Sequence, residues 1–113
     1  MKLEIHFRDM HSTDGLKTHI EDQAEKIRRY ITEGELIRVI VGAERHRQYC
    51  EVFWHDKTQK KDYFAKEEGD NLYAQIDVAF DKICTQIHKA HDKLVTKHHH
   101  KEPLKKASLG SRD

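Results

Sequence analysis

The chain has 113 residues, of which 36% are hydrophobic and 36% are charged, and its net charge is +1. This length suits one compact domain with a modest core, and the bulk charge by itself predicts no polyanionic partner. The charge is nevertheless uneven, because residues 1–70 carry a net −2 and residues 71–113 carry a net +3. Asymmetry of this kind is a weak indication of contact with nucleic acid or a membrane.

Cysteine usage and hydropathy predict a reducing, cytoplasmic location. Cys50 and Cys84 are far apart in the sequence and fit no metal or redox spacing, so we expect buried free thiols. Residues 1–15 contain no apolar signal core, and no segment approaches transmembrane length. We therefore expect a soluble cytoplasmic protein without a membrane partner.

The first half of the chain predicts a strand, a helix and a second strand. Residues 2–8 alternate strictly between apolar and polar side chains, which is typical of a half-buried strand. With Thr13 as the N-cap, apolar residues then recur at helical spacing to about Thr32, and the sequence EGE at residues 33–35 ends the helix. Residues 36–43 are β-rich and apolar on both sides, as in a central strand.

The second half predicts two strands and a long helix. Residues 49–55 and 60–66 form strands joined by a polar turn, and residues 71–97 form a helix capped by Asp70 or Asn71. The order β-α-β-β-β-α predicts an α+β fold. We expect a four-stranded mixed sheet, with its first two strands parallel and two helices packed on one face. The other face of the sheet is then open to solvent.

Catalytic motifs are missing from the sequence. It contains no Gly-rich phosphate loop, no nucleophile elbow and no HExxH motif, and its many Asp and His residues form no recognisable constellation. We expect neither an enzyme nor a cofactor.

The C-terminal histidines leave a metal-binding protein as an alternative. His88 and His91 are three residues apart on the predicted helix, and three more histidines follow at residues 98–100. A zinc site needs three or four fixed ligands with supporting contacts. We expect residues 1–97 to form the domain and residues 98–113 a flexible basic tail, so these ligands would straddle a helix end and a loose segment.

The aromatic residues of the predicted strands also have two interpretations. Exposed rings could stack on nucleic-acid bases, but a position in the sheet core is favoured for each of them. These residues are Tyr49, Phe53, Trp54, Tyr63 and Phe64.

The helix over residues 71–97 separates its side chains into three faces. One stripe is apolar, and the aspartates fall on a sector turned away from a second, basic stripe. A basic stripe of this kind is ordinarily a helix face exposed to solvent. Here the basic residues are separated from the carboxylates, which favours a surface that binds an anion. The basic stripe consists of Lys82, Gln86, Lys89, Lys93 and Lys97.

The same helix resembles that of a known family. The sequence NLYAQID at residues 71–77 is similar to the D-M-Y-A-A-I-D signature of the ribosome hibernation promoting factors, also called ribosome-associated inhibitors. DKICTQIHK at residues 81–89 is similar to their D-K-L-x-R-Q-L-x-K motif. The resemblance extends over residues 1–97, includes the basic pair Arg28-Arg29, and identifies a short form of the family.

The resemblance implies a fold similar to a double-stranded RNA-binding domain. It also implies a non-enzymatic translation inhibitor that binds the small ribosomal subunit, on 16S rRNA in the A- and P-site region, and excludes mRNA and tRNA sterically. Neither a cofactor nor a small-molecule substrate is implied, and a general structured-RNA-binding module remains the alternative. The rRNA-binding residues implied by position are Arg28, Arg29, Lys82, Gln86, Lys89, Lys93 and Lys97.

Overall fold

A computed structural model describes the backbone of residues 1–96 and the side chains of residues 1–90. Its elements follow the predicted order, and the predicted α+β fold is confirmed. The predicted tail over residues 98–113 lies outside the described residues. The strands and helices are β1 (Lys2–Arg8), α1 (Asp14–Glu25), β2 (Leu36–Glu44), β3 (Arg47–Asp56), β4 (Lys61–Gly69) and α2 (Leu72–Thr96).

The four strands form one mixed sheet in the order β1-β2-β3-β4. β1 is parallel to β2, as a right-handed crossover through α1 requires, and the other two strand pairs are antiparallel. Side chains alternate across a strand, so Val39 and its register partner Val52 face the helices, while Arg38 and its partner Phe53 face the opposite side. Both helices cover one face, and the other face is open.

Two capping side chains fix where the helices begin. The Oγ1 atom of Thr13 accepts a hydrogen bond from the Leu16 N–H at 3.1 Å, and Oδ1 of Asn71 accepts one from the Tyr73 N–H at 3.1 Å. Each bond satisfies a backbone donor that the first helical turn leaves unpaired. The N-cap predicted for α1 is confirmed, and the side-chain cap of α2 is Asn71. No helix within residues 1–96 has the length and apolar content needed to span a membrane.

The expectation that the first helix continues to about Thr32 is wrong, because α1 ends at Glu25 and a short 3-10 helix, Arg28–Tyr30, follows. The backbone N–H groups of Ile27 and Ile31 donate to carbonyls three residues earlier, which tightens the chain. Both side chains remain buried in the core. Their spacing of four residues therefore imitates a continuing α-helix although the backbone has left it.

A buried carboxylate, Glu35, joins the loop before β2 to β3 and to the turn after β3. Its Oε1 atom accepts hydrogen bonds from the Thr32 N–H at 3.1 Å and from Trp54 Nε1 at 3.2 Å. Its Oε2 atom accepts one from the Lys57 N–H at 2.8 Å. Burial raises the pKa of the Glu35 carboxyl, but the hydrogen bonds from Lys57, Trp54 and Thr32 outweigh burial and hold this pKa below its ordinary value.

We expect Glu35→Gln to lower the free energy of unfolding by about 1–3 kcal/mol at pH 7, because one amide oxygen cannot replace two carboxylate oxygens that accept three bonds. The native pKa lies below the unfolded one, so this stabilisation is complete above the unfolded pKa and disappears as pH falls through the native pKa. Urea unfolding, followed by the fluorescence of the single tryptophan, measures both effects. Glu33→Gln, in the exposed part of the same loop, is the control and should be neutral. A difference that persists unchanged at acid pH would contradict this account of Glu35.

Candidate nucleic-acid interface

The packing of α2 on the sheet sets the direction of its basic side chains. Ile76, Ile83 and Ile87 are buried beneath the helix, and this apolar stripe fixes its rotation. At about 100° per residue, Lys82, Gln86 and Lys89 then lie on the side of α2 that overhangs β4. We call these three residues, with the Lys93 position one turn further on, the α2 basic flank.

Two of the predicted lysines, Lys93 and Lys97, follow the last residue whose side chain is described. The Lys93 backbone belongs to α2, and its spacing of four residues from Lys89 places it on the α2 basic flank. Lys97 lies outside the described residues. Both remain predictions.

Lys82 is ion-paired with Glu67 of β4. The Lys82 side chain is 55% exposed and the Glu67 side chain 20% exposed, so the lysine lies outside and the carboxylate beneath it. The expectation of a basic stripe free of carboxylates is therefore wrong at this position. Only acids on the helix itself were visible in the periodicity, and Glu67 reaches the flank from another element.

Gln86 closes the edge of the sheet. Its Oε1 atom accepts a hydrogen bond from the Phe64 N–H at 3.3 Å, and its Nε2 donates to the Phe64 carbonyl at 2.8 Å. The side chain thus takes the place of a neighbouring strand at the exposed edge of β4, where unpaired backbone groups invite association with another chain. A contact of Gln86 with RNA would compete with both hydrogen bonds.

Lys89 is exposed, and within the side chains that the structure describes it has no ion-pair or hydrogen-bond partner. Among the described side chains, its ammonium group can meet an external anion without breaking a contact. Of the three flank residues whose side chains are described, Lys89 is therefore the one where an anion costs the protein least to bind.

The basic pair of the 3-10 helix lies beside the opposite side of α2. Arg28 is paired with Glu25 at 2.8 Å, and the Arg29 guanidinium lies 5.2 Å from the centre of the Tyr30 ring. The Tyr30 hydroxyl is hydrogen-bonded to His88 of α2 at 3.1 Å. The structure therefore divides the predicted residues into two groups on the two sides of α2.

Lys26 adds a basic residue that sequence reasoning missed. Burial raises the pKa of the Cys84 thiol, Asp81 raises it further, and the positive charges of Lys26 and Arg29 act in the opposite direction. Both cations are thus close enough to α2 to affect a side chain on it. The helical periodicity of the sequence did not predict a position near α2 for Lys26, because the chain turns there at the end of α1.

The cysteines partly follow the expectation of buried free thiols. Both are free, but Cys50 is buried and Cys84 only half-buried. Burial raises the pKa of the Cys50 thiol to about 12, which keeps it protonated and unreactive at neutral pH.

The aromatic residues of the strands divide between the two sheet faces. Trp54 and Tyr63 are buried and stack with ring centres 4.8 Å apart, as the core interpretation predicts. Phe53 and Phe64 are exposed, so that interpretation is wrong for them. Tyr49 is half-buried.

The described side chains contain no group of three His, Cys, Asp or Glu residues that could hold a metal ion. His88 is engaged with Tyr30 instead. The metal-binding alternative involves residues 98–100, which lie outside the described residues.

Gln86→Ala should expose the Phe64 backbone at the sheet edge and lower the free energy of unfolding by about 0.5–1.5 kcal/mol, since two hydrogen bonds are lost. Amide hydrogen exchange at Phe64 should accelerate, whereas exchange at the centre of β3 should change only with global stability. Thr85→Ala is the matched control, because the Thr85 hydroxyl donates only to the Asp81 carbonyl of its own helix. Unchanged exchange at Phe64 would show that Gln86 does not protect this edge.

Comparison with known proteins identifies relatives over the whole described domain. A model of the family described as Sigma 54 modulation protein / S30EA ribosomal protein matches residues 3–95. A ribosome hibernation promoting factor from Azotobacter vinelandii is 24% identical over 103 residues, which are 91% of this chain and 94% of that protein.

Solved structures share the fold. The N-terminal domain of Protein Y from Thermus thermophilus superposes with a TM-score of 0.68 at 22% identity, covering 80% of this chain and 99% of that one. A ribosomal subunit interface protein from Coxiella burnetii gives a TM-score of 0.68 at 16% identity, covering 81% and 99% of the two chains. The family match spans nearly all of the described residues, and the chain therefore belongs to the Sigma 54 modulation protein / S30EA ribosomal protein family, as its resemblance to hibernation factors predicted.

Proposed function

We propose that this protein is a cytoplasmic ribosome hibernation factor. It binds the small ribosomal subunit on 16S rRNA, in the channel used by mRNA and by the A- and P-site tRNAs, and inhibits translation by occupying that channel. Membership of the family and the name of the Azotobacter vinelandii relative support a ribosomal role. The observation that carries the choice of surface is the α2 basic flank, where Lys82 and Lys89 are exposed on a helix whose rotation the core fixes.

Electrostatic docking supplies the affinity. Each lysine that meets an RNA phosphate releases condensed counterions, so binding is strong at low salt and independent of base sequence. Lys89 contributes without losing a contact to any described side chain, whereas Lys82 must share its charge with Glu67. Arg28 and Arg29, on the other side of α2, would meet a second stretch of the same RNA surface.

Inhibition results from steric exclusion and requires neither turnover nor a cofactor. The helix α2 has 25 residues, which corresponds to a rod of about 37 Å at about 1.5 Å per residue. From Leu72 to Ile87 its apolar stripe is packed on β3 and β4, which holds this part of the helix against the sheet. A rigid body held at rRNA by several phosphate contacts excludes mRNA and tRNA from the space it fills.

The double variant Lys82→Glu/Lys89→Glu should weaken binding to small ribosomal subunits at least about tenfold at about 0.1 M salt. The slope of log affinity against log salt should fall by about 2, one for each lost phosphate contact. Adding Lys93→Glu should extend both effects. Co-sedimentation through sucrose gradients at several salt concentrations measures the affinity and the slope.

Lys2→Glu/Arg8→Glu is the matched control, because it makes the same charge change at two exposed residues of β1, at the edge of the sheet opposite β4, and should leave binding nearly unchanged. Glu67→Gln removes the carboxylate beneath Lys82 and should maintain or modestly increase affinity. Co-sedimentation of Lys82→Glu/Lys89→Glu like the wild type, or an equal loss in the control, would refute the proposed surface. Effective competition by bulk double-stranded RNA would indicate a general RNA-binding module instead.

A further inference from the structure

The open face of the sheet carries two exposed phenylalanines side by side. Phe53 of β3 and Phe64 of β4 are direct register partners, and they are 36% and 51% exposed. Their chain neighbours Trp54 and Tyr63 point to the other face and are buried. A contiguous exposed apolar patch is one of the features that mark an interaction surface.

Cationic groups border this aromatic pair. Arg38 of β2 is the register partner of Phe53, so the two side chains share the open face. A pocket of about 180 Å³ lies beside them, and its lining combines an apolar floor with basic groups. The lining residues are Gly34, Leu36, Arg38, Phe53, His55 and Lys57.

The nearby carboxylates are already engaged. Glu35 is buried and accepts three hydrogen bonds, and Asp62 is bonded to His55 at 2.5 Å. Glu4 accepts from Nε of Arg38 at 3.2 Å, which leaves the terminal nitrogens of that guanidinium for an external group. The Lys57 ammonium has no ion-pair partner among the described side chains. The pocket therefore offers an apolar surface beside the unpaired ammonium of Lys57 and the outer edge of the Arg38 guanidinium, whose charge is shared with Glu4. This arrangement complements a flat ring carrying a phosphate.

We propose that this face binds single-stranded RNA through unpaired bases. One base stacks on Phe53, a neighbouring base stacks on Phe64, and the phosphates that flank the base on Phe53 on its β2 side lie against Arg38 and Lys57. Stacking on aromatic side chains accepts any base, because every base has a π-face. Bases within a duplex are stacked on one another, so only unpaired RNA can offer both faces.

The two RNA surfaces do not overlap. The phenylalanines lie on the side of the sheet opposite α2, so unpaired RNA on the sheet and ribosomal RNA on the α2 basic flank can be bound at once. The inference goes beyond the proposed function and does not depend on it. A chain that failed to bind ribosomes could still bind a short unpaired RNA.

The test uses the full chain with fluorescein-labelled octauridine, followed by anisotropy, and the same octamer with 4-thiouridine for photo-crosslinking. Phe53→Leu/Phe64→Leu keeps apolar side chains and removes the rings. We expect it to weaken octamer binding at least about tenfold. Crosslinks in the wild type should map to peptides containing Phe53 or Phe64, and a duplex of the same sequence should not compete for them.

Two further variants serve as controls. Tyr73→Leu makes the same kind of change at an exposed ring on α2 and should leave octamer binding intact. Lys82→Glu/Lys89→Glu should retain the crosslinks at the phenylalanines even though it loses ribosome binding, so the two proposals can fail separately. Fluorescence of the buried Trp54 reports that each variant is folded.

Several results would overturn the inference. These results are no binding of the octamer by the wild type, binding by the leucine variant as tight as that of the wild type, and crosslinks that map to α2. Equal competition by the duplex would also refute it. If sedimentation velocity without RNA revealed a dimer that the leucine variant lost, the sheet face would be an interface between two copies of the chain.

Discussion

The helix α2 packs across β3 and β4, and this contact fixes both the rotation of the helix and the face of the sheet that it covers. Ile76, Phe80, Ile83 and Ile87 are almost fully buried, and burying each such side chain contributes about 1.5–3 kcal/mol. Their position leaves α2 one possible rotation. That rotation turns the α2 basic flank outward over β4, sets His88 against the 3-10 helix, and commits the second sheet face to solvent.

The elements that local pattern determines were predictable from the sequence. Strict alternation over Lys2–Arg8 and a cap at Thr13 depend only on neighbouring residues, and both agree with the structure. The end of α1 was not predictable in this way, because Ile27 and Ile31 keep a helical spacing while a 3-10 backbone carries them into the core. Periodicity reports which side chains are buried, and two backbone geometries can bury the same pair.

Only part of the chemistry of the candidate site could be predicted from the sequence. Helical spacing places Lys82, Gln86 and Lys89 on one flank, but it cannot show what another element brings to them. β4 supplies both the carboxylate of Glu67 and the backbone of Phe64, so one lysine is neutralised in part and the glutamine has a structural task. The sequence predicted that all lysines of the flank are free of carboxylates. Among the described side chains, Lys89 is the one flank lysine without an ion-pair partner.

The α2 basic flank is proposed to face ribosomal RNA in the decoding channel. Cryo-electron microscopy of the full chain bound to small ribosomal subunits tests it most directly. We expect density for the α+β domain in the mRNA and tRNA channel, with the ammonium groups of Lys82 and Lys89 within about 3–4 Å of rRNA phosphate oxygens. A domain bound outside that channel, or one whose α2 basic flank is turned to solvent, would rule out this surface as the RNA-binding one.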